Sequence, residues 1–88
     1  MTAFSIEQVF EDEDRRRSVA ELCVSKAEEF RLIGYEHVTG EEIWHCVSEP
    51  YFKKGVPAFH QVVNDILSLK VTAFMNFMTL GAYKGLRL

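Results

Sequence analysis

Apolar residues first fall into register at Val19. From there Val19, Leu22, Cys23, Ala27, Phe30 and Ile33 recur at steps of three and four, drawing one stripe down a helix. The spacing predicts a first helix over 12–33. Glu11-Asp12-Glu13-Asp14 ahead of Arg15-Arg16-Arg17 suits its start, because acids meet the positive pole of the helix dipole there. Gly34 suits its end, since glycine tolerates the left-handed turn that follows a last helical residue. Cys23 lies on the stripe, so a buried, inert thiol is expected.

Three further segments follow. Thr39-Gly40-Glu41-Glu42 matches a capping box, a Thr cap with Glu three residues on. It predicts a second helix over 40–48, with Ile43, Trp44 and Val47 inward and Pro50 as the stop. Tyr51 to Pro57 reads as a loop by its glycine and proline, with Pro57 at the first position of a third helix. That helix is expected over 58–67, with Phe59, Val62, Val63, Ile66 and Leu67 on its apolar face. Ser68-Leu69-Lys70 is a kink or a tight link. The fourth helix is expected over 71–83, where nine of 13 residues are apolar and none is charged. A helix apolar all round must be buried all round. Three small helices cover only part of it, so Phe74, Met75, Phe77, Met78 and Tyr83 are candidates to face a protein partner or a second copy of the chain. The alternative is a central core helix wrapped by the other three. Residues 1–10 have no period and read as an arm or short helical lead. Residues 11–85 then form a single domain: all-α, four helices in a compact antiparallel arrangement.

Composition narrows the class. The chain has 88 residues, 48% hydrophobic and 26% charged, with a net charge of −3. That is globular composition, not a disordered tail, a collagen-like repeat or a disulfide scaffold. A chain this short buries only about 60–65% of its unfolded surface and gains from a partner. The first residues lack the basic and apolar run of a signal peptide. The uncharged C-terminal stretch of 13 residues falls short of the roughly 20 that span a membrane. With Cys23 and Cys46 read as free thiols, the expected address is the cytoplasm.

The net charge hides an asymmetry. Residues 1–49 hold 12 acids and 5 bases, for −7; residues 50–88 hold 1 acid and 5 bases, for +4. We expect the two halves to neutralise each other within the fold. A polyanion on the second half, or head-to-tail pairing, are the alternatives.

Reactive chemistry finds little support. Zinc ligands usually come in local pairs, and adjacent His45 and Cys46 point about 100° apart on a helix, with no second pair, so no metal is expected. No Ser stands in a glycine-flanked elbow and no Cys in a glycine-rich turn. The carboxylate pairs look exposed, and the five glycines are too scattered to cradle a phosphate. No catalytic residue and no cofactor are assigned. An enzyme using Cys46 or Cys23 stands only as a third alternative. For nucleic acid, Tyr51, Phe52, Lys53 and Lys54 combine rings that stack on bases with ammonium groups that meet phosphate, so they are the candidate contact for single-stranded RNA. At Arg15-Arg16-Arg17 the neighbouring acids weaken the potential that such contact needs.

Four stretches carry a family likeness: Phe30-Arg31-Leu32-Ile33-Gly34-Tyr35, Glu41-Glu42-Ile43-Trp44, Val63-Asn64-Asp65-Ile66-Leu67-Ser68-Leu69 and Phe74-Met75-Asn76-Phe77-Met78-Thr79. Together they resemble the ComN-type post-transcriptional regulators of Gram-positive bacteria, small proteins tied to a late-competence operon. The likeness covers about residues 22–84, and its most specific part is the Val63–Leu69 segment with the Phe-Met-Asn-Phe that follows. It implies a non-enzymatic cytoplasmic regulator acting after transcription, through messenger RNA, protein partners or both. No catalytic residues come with it. Asn64 and Asp65 lie in the most recognisable segment and are the polar residues to test; a capping or inter-helix hydrogen bond is their structural reading. Two other functions stay open: a direct single-stranded RNA binder using 51–54, and a structural dimerisation module.

Overall fold

The computed structural model describes residues 6–82. The elements run α1 (Ile6–Val9), α2 (Glu13–Leu32), α3 (Gly40–Ser48), α4 (Tyr51–Lys54), α5 (Phe59–Leu67) and α6 (Val71–Asn76), which continues as π-helical turns over Phe77–Ala82. The domain is all-α. Its four longer helical stretches, α2, α3, α5 and α6 with its π turns, match the four that the pattern predicts.

Helix α2 is the spine. Asp12 caps its start by accepting from the Asp14 N–H at 3.1 Å. Gly34 ends it at φ 118°, a left-handed value that an L side chain adopts only under strain. Val19, Cys23, Ala27 and Phe30 are buried as the stripe predicts, whereas Ile33 is exposed. The helix stops at Leu32, so Ile33 leaves the helical path before the stripe can carry it inward. The period passes over Lys26, whose side chain is buried: its stem lies against the core and its ammonium donates to the Leu67 carbonyl at 3.0 Å.

Helix α3 begins with the predicted capping box in full. Thr39 Oγ1 accepts from the Glu42 N–H at 3.2 Å, and Glu42 Oε1 accepts from the Thr39 N–H at 3.0 Å. Gly40 lets α3 approach α2 closely: a Cβ there would sit 3.1 Å from Val24 Cγ2 and 3.2 Å from its backbone nitrogen. Ile43, Trp44 and Val47 point into the core.

The expected loop over 51–57 is in part a helical turn. Pro50 has helical dihedrals, and its carbonyl takes the Lys54 N–H at 3.1 Å, so the chain winds on as α4 until Gly55 turns it out at φ 85°. Pro57 is correspondingly not the first residue of the next helix. Ala58 is extended and caps α5, which starts at Phe59. Val62 and Ile66 are buried, Phe59 and Val63 are half-buried, and Leu67, expected inward, is exposed at the helix end.

The N-terminal lead contains a short helix, α1, and is docked. Phe10 is buried, and its ring meets Phe59 edge-on at a centroid distance of 5.6 Å. On α6, Phe74 is fully buried against Phe30, with ring centroids 5.5 Å apart. Met75, Phe77 and Met78 are half-buried, while Thr72, Ala73, Asn76 and Thr79 are exposed. Over its described side chains, residues 71–79, the fourth helix is therefore neither enclosed nor stripped of cover: Phe74 anchors it and its flanks stay partly open. No described helix is long and apolar enough to cross a membrane.

Candidate functional site

The largest change from the sequence reading concerns Tyr51. Helix α4 turns this ring inward, 5% exposed, with the Trp44 ring 6.3 Å away. Its hydroxyl donates to Asp65 Oδ2 at 2.7 Å. The other Asp65 oxygen accepts from Gln61 Nε2 at 2.9 Å, one helical turn back on α5. Burial, reinforced by the neighbouring carboxylate, pushes the Tyr51 hydroxyl well above the ordinary phenol range. Tyr51 is thus a strut between α4 and α5, and its ring offers no face to a base. Phe52, Lys53 and Lys54 are the members of the 51–54 set that lie at the surface.

Of the two polar residues in the recognisable segment, Asp65 makes an inter-helix hydrogen bond of the kind expected from its position. The Asn64 side chain is exposed, and its carbonyl accepts the Ser68 N–H at 2.9 Å as α5 ends.

The Tyr51–Asp65–Gln61 unit forms the floor of a groove of about 790 Å³. The end of α3, the α4–α5 connection, Leu69, Lys70 and the first turn of α6 supply the rest of its lining. Val47, Val56, Pro57 and Leu69 make much of the lining apolar, and Lys54 and Lys70 add two cations to it. Gln61 and the groove itself are absent from the sequence reading. The i, i+4 spacing of Gln61 and Asp65 is the one local signal that pointed there.

No ion pair among the described residues joins the two halves of the chain. The ion pairs seen there lie within α2: Glu13 with Arg16 and Arg17, Asp14 with Arg17, Lys26 with Glu29, and Glu28 with Arg31. These are neighbours at i, i+3 and i, i+4, which form as soon as the helix does. Lys53, Lys54 and Lys70 pair with no acid in that set.

Cys46 lines the groove and is half-buried. Burial, with the Glu49 charge adding to it, raises its thiol to about 11, and burial raises Cys23 to about 12. Both are protonated at neutral pH, the opposite of what a nucleophile needs. No three His, Cys, Asp or Glu side chains converge among the described residues as metal ligands would. From the expected partner face, Phe74 is withdrawn into the core, Met75, Phe77 and Met78 remain half-exposed, and Tyr83 lies outside the described residues.

Comparison with known proteins places this helical unit. A family model described as post-transcriptional regulator matches residues 13–87, from the first residue of α2 onward. Over 67 residues the chain is 36% identical to the post-transcriptional regulator ComN of Bacillus subtilis (strain 168), an overlap covering 75% of this chain and 68% of that protein. No solved structure matches the chain.

Proposed function

The chain belongs to the post-transcriptional regulator family, and from that premise we propose that it acts by binding, as a non-enzymatic adaptor in the cytoplasm that docks a partner protein. The observation that carries this reading is the incomplete cover of α6. Among the described side chains Phe74 alone is fully buried there, while Met75, Phe77 and Met78 keep apolar surface partly in water. The protonated thiols agree with a protein that does no covalent chemistry.

The test compares protein and transcript abundance in cells lacking the chain and in cells given it back. Regulation after transcription changes protein levels of some genes with their transcripts unchanged. Wild type restores them, and Met75→Glu with Met78→Glu, checked for helix content, does not. Full restoration by that variant removes the α6 face from the mechanism.

A second reading, direct contact with single-stranded RNA, is favoured by the exposed Phe52, Lys53 and Lys54 on one short helix. Its signature is affinity for a uridine oligomer that falls steeply with salt and drops when Lys53 and Lys54 are both Ala. Absence of any salt-dependent binding removes it.

A further inference from the structure

We propose that the groove between the α4–α5 connection and α6 is a docking site for an acidic, apolar peptide segment of a partner protein. This rests on the adaptor reading and names a surface for it other than the α6 face.

Three observations converge. The groove holds about 790 Å³, within the range of about 300–1,000 Å³ typical of small-ligand sites, which is room for a few side chains. Its walls at Val47, Val56, Pro57 and Leu69 suit aliphatic groups. Lys54 and Lys70 add two cations to the lining, and neither is paired with an acid among the described residues, although the whole chain carries −3. Among the described residues Asp65 is the only acid of the lining, and both its oxygens already accept, from Tyr51 and from Gln61. The lining thus carries two cations without an acid partner among the described residues and one carboxylate already engaged, so the complementary ligand combines apolar side chains with acidic ones.

The same geometry disfavours RNA in this place. Among the described residues Tyr51 is the only aromatic one of the lining, and it is 5% exposed. Bases would find aliphatic walls where stacking needs rings. The floor is set in advance by hydrogen bonds, which lowers the ordering cost of binding.

Peptide-phage selection on the immobilised full chain tests this, followed by titration of a labelled synthetic peptide from the selected pool. We expect a pool enriched in Asp and Glu together with apolar residues. Binding weakens with added salt and by about tenfold or more when Lys54→Glu and Lys70→Glu reverse both charges. Val56→Asp, at an exposed wall position, weakens it as well, and peptide binding moves the amide resonances of Val56, Leu69 and Ala73. The proposal is overturned by a pool without acidic enrichment, by no binders at all, or by peptides that bind the double variant as tightly as wild type. Peptides that map instead to Met75, Phe77 and Met78 overturn the groove and leave the adaptor reading standing. A uridine oligomer that displaces the probe and needs both lysines assigns the groove to RNA and overturns the peptide.

Discussion

Tyr51 and Asp65, 14 residues apart, are joined by a hydrogen bond of 2.7 Å that fastens α4 to α5. Its acceptor is a carboxylate and its donor a buried ring, so it ranks among the stronger neutral-to-charged bonds. Tyr51→Phe keeps the ring and removes the bond. Urea unfolding should show a loss of about 1–3 kcal/mol. Because Asp65→Ala breaks the same bond, the double variant should lose less than the sum of the two single losses. Equal midpoints for Tyr51→Phe and wild type would deny the strut any role in stability.

Alkaline pH should unfold the protein. Cys23 and Cys46 move from an ordinary 9.0 to about 12 and about 11, and Tyr51 also moves upward. These groups keep their protons in the folded chain after the unfolded chain has lost them. Folded protein then binds more protons, so stability falls as pH rises. Their contribution is complete below about pH 9 and declines above it as the thiols titrate toward their folded values. Urea midpoints at rising pH measure this, and Cys46→Ser should flatten part of the fall. A midpoint unchanged above pH 9 contradicts the burial of these groups.

Alkylation reads the same burial kinetically. In native protein both thiols should react more slowly than free cysteine, and urea should release them. A native thiol faster than free cysteine would reopen the enzyme reading.

Phe74 holds α6 to α2 through Phe30, at 5.5 Å between centroids. Phe74→Leu leaves part of that contact and should cost about 1–2 kcal/mol, with hydrogen exchange rising in α6 before it rises in α3. Uniform acceleration across all helices would mean that α6 is not a separately opening unit.

Gly34 and Gly40 should resist replacement for different reasons. At Gly34 nothing lies within 4 Å of an added Cβ, so Gly34→Ala is penalised only by φ 118°, at about 1 kcal/mol or somewhat more. At Gly40 the backbone is ordinary and the methyl meets Val24, at a cost of about 1–3 kcal/mol. Val24→Ala should recover only part of the Gly40→Ala loss, since the Val24 backbone nitrogen stays 3.2 Å away. It should leave Gly34→Ala unchanged. Thermal melts of the single and double variants separate the two causes.

What the order of residues determined on its own is the set of interactions made within about one helical turn. The stripe from Val19 to Phe30, the Thr39–Glu42 capping box, the Gly34 stop and the ion pairs of α2 all join residues three or four apart, and a chain presents those partners whatever the rest of it does. The family likeness followed from segments legible in the same way. Tertiary structure decided the rest, because burial depends on which distant surface arrives. Tyr51 became a strut instead of a stacking ring only once Asp65 came beside it. Lys26 went inward because the Leu67 carbonyl, 41 residues later, accepts the hydrogen bond its ammonium donates. The groove exists because the chain returns at Leu69 and Lys70 to line the same space as Val56 and Pro57. Helical periodicity fixes which side of each helix is apolar; the crossing of the helices fixes how much of that side remains open to a partner.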